Sequence, residues 1–262
     1  MIIVNIPGIN APGRPLGCEL AFSKILENLK QIHSNEKGIP IIMQKTEEIN
    51  LNNSNIQESI ALIYEKAKNI LNENEKPIFI GGDHSISYPL MKAFSEKNKD
   101  PFLIVFDAHP DLMPAMKEPT HEEWLRKCIE DKLVSTENII LIGVRNSDKE
   151  EIKFINENKI KTIDCNIILN DIEQTTFHIM ELANKNKNPV YISIDIDVLD
   201  PAFAPGTSYH EPAGLTPRQL IYMLQRLKLL KNLKAIDIVE VNPKLDNGQT
   251  SKLAAKIIAE LL

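Results

Sequence analysis

The repetition of short, wholly apolar runs between longer amphipathic stretches constrains the fold of this chain most strongly. The apolar runs predict strands at residues 2–6, 39–43, 77–80, 102–106, 139–143, 161–164, 190–194 and 235–239. Several are apolar at every position, which is typical of strands buried on both faces of a parallel sheet. The amphipathic stretches predict helices at 19–33, 56–72, 88–98, 120–131, 148–156, 175–184, 216–230 and 251–262. Alternation of strands and helices predicts βαβ units, and therefore an α/β fold with helices on both faces of a parallel sheet.

Composition limits the class of protein. No Ser/Gly-rich linker, long charge run or internal repeat divides the 262 residues, so we expect one domain over residues 1–262. A net charge of −6 argues against nucleic acid or a membrane surface as the partner and fits a small cationic substrate. Three widely spaced cysteines predict no disulfide framework. The lack of a signal-like segment or a long apolar stretch predicts a cytoplasmic protein.

Polar side chains follow four of the apolar runs at the point where each run ends. Residues 81–85 read Gly-Gly-Asp-His-Ser, residues 107–111 read Asp-Ala-His-Pro-Asp, residues 193–197 read Ser-Ile-Asp-Ile-Asp, and Glu240 stands alone. In open parallel sheets, ligands bind outside the carboxyl ends of the strands. These segments are therefore the candidates for a functional site.

The spacing of the acidic residues predicts that they converge. Asp107, His109 and Asp111 alternate along the chain, and an extended backbone would point all three the same way. Asp195 and Asp197 repeat this spacing on another strand. Four buried carboxylates without a partner would cost several kcal/mol each. Because neither segment contains a lysine or arginine, the charge must be balanced by something else.

Two divalent metal ions would supply that balance. His84 and His109 can each complete one ligand set. Oxygen ligands with a minority of imidazole, and without thiolate, favour Mn²⁺ over Zn²⁺. A pair of ions about 3.5–4 Å apart lowers the pKa of the water between them from about 15.7 toward about 7. The residues thus predict a hydroxide between two metal ions that acts as a nucleophile at neutral pH without an activated side chain.

Less specific interpretations apply to some of these residues. Asp83 and Asp200 fit turn formers or helix caps as well as they fit site residues. The Gly81-Gly82 pair lacks the Lys-Ser/Thr of a phosphate-binding loop. Close approach of the backbone to the site explains these glycines better.

Taken together, the motifs resemble the ureohydrolases, the family of arginase, agmatinase and formimidoylglutamase. The resemblance rests on residues 81–85, on Asp-Ala-His-x-Asp at 107–111, on Ser-x-Asp-x-Asp-x-x-Asp-Pro-x-x-x-Pro-Gly-Thr at 193–207, and on Glu-Val-Asn-Pro at 240–243. It runs from about residue 77 to the end of the chain. The resemblance implies a three-layer α/β/α fold around a mostly parallel, eight-stranded sheet, two Mn²⁺ ions, and a homo-oligomer such as a trimer or hexamer. It also implies hydrolysis of a linear guanidino or amidino C–N bond by a metal-bridging hydroxide.

The resemblance also implies roles for individual residues. One metal ion would take His84, Asp107, Asp111 and Asp195, and the other would take His109, Asp107, Asp195 and Asp197. Glu240 would hold the guanidinium of the substrate and take part in catalysis. His121 is the candidate for a catalytic proton shuttle, although a surface histidine at a helix start fits the sequence too. Asp148 would lie near the far end of the substrate or would cap a helix.

Departures from the family pattern narrow the substrate. Met113 stands where arginases carry an Asn that recognises a carboxylate, and Tyr209 and His210 replace small residues beside the site. Agmatinase-like hydrolysis is therefore the first hypothesis, followed by formimidoylglutamase-like and arginase-like activity. An amidohydrolase that deacetylates acylated polyamines is a second class, which the retention of His84 and Asp111 argues against. A non-catalytic metal-binding paralogue, suggested by the short N-terminal part and the altered loops, is a third.

Overall fold

One parallel sheet forms the centre of the molecule. A computed structural model describes residues 2–10 and 16–262. The eight strands are β1 (Ile2–Ile6), β2 (Lys45–Glu48), β3 (Ile78–Gly81), β4 (Phe102–Phe106), β5 (Ile139–Ile142), β6 (Lys161–Ile163), β7 (Val190–Asp195) and β8 (Leu233–Val239). They lie in the order β2-β1-β3-β8-β7-β4-β5-β6, and every neighbouring pair is parallel. The predicted parallel α/β sheet is confirmed.

Helices cover both faces of this sheet. They are α1 (Ala21–Leu29), α2 (Ile56–Glu73), α3 (Ser87–Lys97), α4 (Trp124–Glu130), α5 (Lys149–Asn158), α6 (Cys165–Asn170), α7 (Ile172–Asn184), α8 (Pro217–Leu227) and α9 (Gln249–Leu261). None of the helices in the described part of the chain is long and apolar enough to cross a bilayer. At the N-terminus of α8, Thr216 forms a capping box with Gln219 and Pro217 is the first helical residue.

Alternation along the strands divides the hydrophobic core into two layers. In β4, Phe102, Ile104 and Phe106 pack with residues of α1, α7, α8 and α9, whereas Leu103 and Val105 pack with residues of α2, α3 and α4. Successive side chains of a strand point to opposite faces of a sheet, so a strand buried on both faces must be apolar throughout. This confirms the three-layer α/β/α architecture.

The predicted strand at residues 39–43 is wrong. Ile39 is 52% exposed and Ile42 is 74% exposed, and this segment lies outside the sheet. The strand β2 forms instead from the polar sequence Lys-Thr-Glu-Glu at the edge of the sheet, where it pairs only with β1. Charged residues are typical of edge strands, and this strand therefore lacks the apolar signature that marks the others.

Two helix predictions also differ from the structure. The short helix α6 was not predicted, and the helix predicted over residues 120–131 begins only at Trp124. Thr120 precedes that helix in a turn, where its backbone N–H donates to Glu123 Oε1 over 2.9 Å. That turn places His121 outside the helix.

The strand order brings the functional segments together. The strands β3, β8, β7 and β4 are consecutive neighbours in the middle of the sheet. Since all four are parallel, their carboxyl ends lie along one edge. The four polar segments of the sequence follow these four strands.

Candidate metal centre and substrate cavity

His84 lies at the centre of the first group of converging side chains. Its Nδ1 is 3.1 Å from Asp107 Oδ2, 3.0 Å from Asp111 Oδ2 and 3.3 Å from Asp195 Oδ2. All four residues are buried. His84, Asp107 and Asp111 have ligand atoms close enough to one another to hold one metal ion. Asp195 reaches His84 from the end of β7, two strands away from β3 in the sheet, and faces the same space.

A second group adjoins the first through Asp107. His109 Nδ1 lies 3.0 Å from Asp197 Oδ2 and 3.6 Å from Asp107 Oδ1. Asp107, His109 and Asp197 also have the spacing of ligands to one ion. Asp107 thus turns one carboxylate oxygen toward each histidine. The structure therefore brings together all six residues predicted as metal ligands, in two groups that share a carboxylate.

The backbone reaches this arrangement by a route that the sequence analysis did not predict. An extended chain was expected to align Asp107, His109 and Asp111, but the segment bends after β4 and Asp111 has a φ of +52°. After Asp195, residues Ile196–Val198 form a 3-10 turn, and Asp195 Oδ1 accepts the backbone N–H of Asp197 over 2.8 Å. Left-handed backbone at a non-glycine residue costs free energy and is found at functional sites. The predicted convergence is correct, and the extended-strand explanation for it is wrong.

Gly82 allows the segment after β3 to pass close to another stretch of backbone. A Cβ atom at this position would lie 2.0 Å from the carbonyl oxygen of Gly8. The Gly82 N–H donates to Ile6 O over 2.9 Å, and the Asp83 N–H donates to Gly8 O over 3.1 Å. The structure thus supports close backbone approach as the reason for glycine here. Asp83 caps the turn at His84–Ile86, as the less specific interpretation had it.

The pKa values of the clustered side chains show how burial and neighbouring charges act on them. Burial and the charge of Asp107 raise the pKa of Asp111 to about 7. Burial, together with Asp197 and Asp107, raises the pKa of Asp195 well above its usual range. Burial lowers the pKa of His84, but its three carboxylate neighbours outweigh this and raise it. Burial would raise the pKa of Asp107, but His109 and His84 outweigh it and lower that pKa. Added positive charge would stabilise the ionised forms of Asp111 and Asp195, whose pKa values are raised.

The donor set fits divalent metal ions. His84 Nδ1 and Asp107 Oδ2 are buried and form no hydrogen bond, although they lie 3.1 Å apart. Buried polar atoms without hydrogen bonds are rare, and metal coordination is one way to satisfy them. Within the described ranges, no lysine or arginine forms an ion pair with the four aspartates. Carboxylate oxygens with two imidazole nitrogens and no thiolate are ligands for Mn²⁺ or a similar ion.

Glu240 lies beside these groups at the end of β8. It is 4% exposed and has a φ of +62°. Its Oε1 accepts the backbone N–H of His84 over 2.8 Å, and the thiol of Cys18 lies 3.8 Å from Oε2. Burial and the charge of Asp83 raise the pKa of Glu240 to about 8. A guanidinium bound at this carboxylate would lower that pKa again.

A cavity of about 340 Å³ opens over the metal-binding groups. Its inner part is lined by candidate metal ligands and Glu240, and its outer part by Met113, His121, Glu122, Asn146, Ser147, Asp148, Glu151 and Tyr209. Met113 and Tyr209 thus line the cavity, which the sequence left open. His210 does not line it, since its ring bonds the carbonyl oxygen of Pro205 over 2.7 Å instead.

The two remaining predicted site residues also line the cavity. His121 is 6% exposed, and its Nε2 lies 2.9 Å from the hydroxyl of Tyr209. A helix-start surface histidine is therefore the poorer description of it. Asp148 caps α5, accepting the backbone N–H of Glu150 over 2.9 Å, while its side chain is exposed to the cavity. Asp148 can therefore cap the helix and also lie near the far end of a substrate.

Asp200 has a structural role. It accepts backbone N–H groups of Ala202 and Gly214 and so stabilises a turn.

Several contacts of the site were not predicted. Trp124 Nε1 donates to Asp111 Oδ2 over 2.7 Å, and its ring lies 4.6 Å from that of His84. Glu211 Oε1 lies 3.4 Å from His109 Nε2. Trp124 is the only tryptophan of the chain and lies 13 residues after the end of the second motif, a distance at which the sequence does not predict a contact. Glu211 follows the third motif at a distance that gives no spacing signal.

Fold and site together define a class of protein. At the carboxyl edge of its sheet, this three-layer α/β/α molecule has two groups of side chains that could each hold a metal ion, with Asp107 common to both, and a buried glutamate beside them. This is the arrangement of an α/β metal-dependent hydrolase.

Comparison with known proteins identifies the family. The arginase family model matches residues 2–262, so the similarity extends further toward the N-terminus than the motifs alone indicated. Agmatinase of Bacillus subtilis (strain 168) is 36% identical over 212 residues, which cover 79% of this chain and 70% of that protein. The mitochondrial guanidino acid hydrolase of Homo sapiens is 32% identical over 228 residues, which cover 82% of this chain and 62% of that protein.

A solved structure agrees with these relatives. Proclavaminate amidino hydrolase from Streptomyces clavuligerus superimposes with a TM-score of 0.90 at 28% identity, covering 99% of this chain and 89% of that one. The chain belongs to the arginase family, whose members are hydrolases of C–N bonds in linear amidines.

Proposed function

We propose that this protein is a dinuclear manganese hydrolase of a linear guanidine, with agmatine as its substrate. One Mn²⁺ would be held by His84, Asp107, Asp111 and Asp195, and the other by His109, Asp107, Asp195 and Asp197. The observation that carries this proposal is the pair of histidines whose Nδ1 atoms face separate oxygens of Asp107. When bound, such a metal pair supplies a water-derived nucleophile at neutral pH.

The side chains of this chain would position the substrate for that attack. Glu240 would bind the planar guanidinium, which offers paired N–H donors to a carboxylate. Its own fixed position depends on the hydrogen bond from the His84 backbone. His121 would donate the proton that the leaving amine requires, because its ring lines the cavity and Tyr209 holds its Nε2.

The outer part of the cavity supports a substrate that carries a second cation. Glu122 and Asp148 line it, and none of its described lining residues is a lysine or arginine. Met113 lies there too, and its thioether has no hydrogen to donate to a carboxylate. Agmatine carries an ammonium group at the end of an alkyl chain opposite its guanidinium. We therefore propose agmatine ahead of arginine and the guanidino acids.

Metal counting combined with a substrate panel tests the proposal. The purified protein is loaded with Mn²⁺, the bound metal is counted by elemental analysis, and product release is assayed. The panel comprises agmatine, arginine, guanidinobutyrate, guanidinopropionate, formiminoglutamate, guanidine and acetylated polyamines. Two ions per chain with turnover of agmatine is the expected result. Fewer than two ions, or two ions without turnover of any linear amidine, would contradict the proposal.

The acidic outer wall predicts discrimination between an ammonium and a carboxylate. We expect agmatine to be hydrolysed with a kcat/KM at least about tenfold above that of guanidinobutyrate, since each 1.4 kcal/mol of attraction or repulsion changes a rate tenfold. Glu122→Gln should reduce this ratio of kcat/KM values and leave the rate of hydrolysis of guanidine itself unchanged. Glu130→Gln, which changes an exposed glutamate of α4 outside the cavity, is the matched control. Equal hydrolysis of both substrates by the unmodified protein would refute agmatine as the preferred substrate.

Trp124 predicts a direct signal of metal binding. It is the only tryptophan of the chain, it is buried, and it contacts both Asp111 and His84. We expect Mn²⁺ to quench its fluorescence in a saturable way, because a paramagnetic ion would lie next to the indole. Asp111→Asn should shift the titration to higher Mn²⁺, and Asp200→Asn should leave it unchanged. If Trp124 fluorescence stayed unchanged in protein that contains two bound Mn²⁺ ions, the ions would not lie beside Asp111 and His84.

A further inference from the structure

A buried carboxylate lies behind the candidate metal centre and has no role in the proposed chemistry. Asp237, on β8, is 0% exposed. Its Oδ1 accepts the hydroxyl of Ser193 over 2.6 Å, and its Oδ2 accepts those of Tyr191 and Ser87 over 2.8 Å and 2.9 Å. In the described part of the chain it forms no ion pair with a lysine or arginine. A buried carboxylate that accepts hydrogen bonds from hydroxyl groups and has no cationic partner is costly, so its presence here calls for a reason.

The Ser193 hydroxyl connects this carboxylate to His84. Ser193 Oγ lies 2.9 Å from His84 Nε2. A serine hydroxyl has one hydrogen, and this hydroxyl donates it to Asp237. Ser193 Oγ therefore accepts from His84, and His84 must carry a hydrogen on Nε2. In the neutral ring, which is the form that binds a metal ion, the lone pair is then on the opposite nitrogen, Nδ1.

That lone pair faces the metal-binding groups. His84 Nδ1 is the atom within 3.3 Å of the three aspartates of the first group. Only the tautomer with its hydrogen on Nε2 can bind a cation through Nδ1. A partner that fixes the tautomer and the ring orientation of a metal-binding histidine commonly changes metal affinity by about 10- to 100-fold.

We propose that Asp237 is a positioning residue that, through Ser193, holds His84 in the tautomer and orientation that bind the metal ion. The inference rests on the proposed metal sites. The other metal-binding histidine is held differently: His109 Nε2 faces Glu211 over 3.4 Å, and both side chains are partly exposed. The two metal sites thus depend on separate supports. Loss of Asp237 should weaken one site and spare the other.

Stepwise Mn²⁺ binding to the metal-free full chain tests this asymmetry. In Asp237→Asn the side chain keeps its shape, but its amide can donate to Ser193 Oγ and reverse the hydrogen bond to His84. We expect Mn²⁺ affinity at the His84 site to fall about 10- to 100-fold and affinity at the His109 site to stay within about threefold. Equilibrium dialysis gives the two affinities, and electron paramagnetic resonance separates isolated Mn²⁺ from a coupled pair.

Two further variants distinguish positioning from general destabilisation. Ser193→Ala breaks the same connection at its other end, so it should weaken the same site. The double variant Asp237→Asn/Ser193→Ala should bind Mn²⁺ at the His84 site with the same affinity as Ser193→Ala alone, because Ser193→Ala already breaks the connection. Tyr191→Phe is the control, since it removes a hydroxyl from Asp237 that does not lead to His84. It should lower stability and leave both Mn²⁺ affinities within about threefold.

The outcomes separate this inference from the proposed function. If the unmodified protein fails to bind two Mn²⁺ ions, that result contradicts both the proposed function and this inference. If the unmodified protein binds two ions and Asp237→Asn binds both with unchanged affinity, the inference alone is overturned. Equal weakening of both sites by Asp237→Asn, or of the His84 site by Tyr191→Phe, also overturns it. Should Asp237→Asn fail to fold, Ser193→Ala compared with Tyr191→Phe decides the question.

Discussion

Asp107→Asn is expected to abolish most of the activity, with a fall in kcat/KM of at least about 1,000-fold. Asp107 turns one oxygen toward His84 and the other toward His109, so its charge serves both metal-binding groups. Loss of that charge should weaken the binding of both ions. The proposed nucleophile forms only because two bound metal ions would lower the pKa of water from about 15.7 toward about 7. Initial rates with agmatine at saturating Mn²⁺ measure the effect.

Thermal unfolding gives a readout of the same substitution that does not need turnover. A ligand that binds the folded state at about 100 times its dissociation constant adds about 2.7 kcal/mol of stability. For a chain of this size, that corresponds to a rise in Tm of about 5–10 °C. We expect Mn²⁺ to produce this rise in the unmodified protein and only a small one in Asp107→Asn.

Asp200→Asn is the matched control for this prediction. It makes the same change of charge at an aspartate that follows the β7 strand, but Asp200 accepts only backbone N–H groups in a turn. Activity and the Mn²⁺-induced rise in Tm should both survive in Asp200→Asn. If Asp107→Asn kept near-normal activity with two bound ions, Asp107 would not be a shared ligand.

Burial explains which parts of the fold were predictable from the sequence. The strand β4 is apolar at all five positions because both of its faces are covered, so a simple apolar run marks it. The strand β2 forms from polar, mostly charged residues, and it is held in the sheet by hydrogen-bonded pairing with β1. Pairing between residues 2–5 and 45–48 is a tertiary property that local patterns do not contain. The exposed segment at 39–43 was therefore mistaken for the strand.

The site divides in the same way. Asp107 and Glu240 directly follow buried strands, and His84 lies three residues after the end of β3. Their positions could therefore be predicted from the sequence once a parallel sheet was predicted. Their supporting contacts could not, because they join segments far apart in the chain. Ser193 meets Asp237 only because β7 and β8 are neighbours in the sheet, with Ser193 paired to Asp237 in register. Strand order, which local patterns leave open, decides such contacts.

Glu240→Gln should lower kcat/KM for agmatine by about 100- to 4,000-fold while two Mn²⁺ ions stay bound. Removing one partner of a buried charge pair costs about 3–5 kcal/mol, and each 1.4 kcal/mol corresponds to a tenfold change in rate. Glutamine keeps an oxygen to accept the His84 N–H, so the backbone contact of 2.8 Å should persist. Stoichiometric metal with a large loss of turnover would separate substrate binding from metal binding.

Glu260→Gln is the control for general destabilisation, because it makes the same substitution at a buried glutamate outside the site. Glu260 is 2% exposed, close to the 4% of Glu240, but it lies on α9 and binds Gln225, Lys256 and the backbone of Glu36. The same substitution there should reduce stability and leave kcat/KM within about threefold. If both variants lost activity equally, the effect of Glu240→Gln would reflect general destabilisation. If Glu240→Gln lost its metal ions, Glu240 would support the metal centre and would not be primarily the guanidinium-binding group.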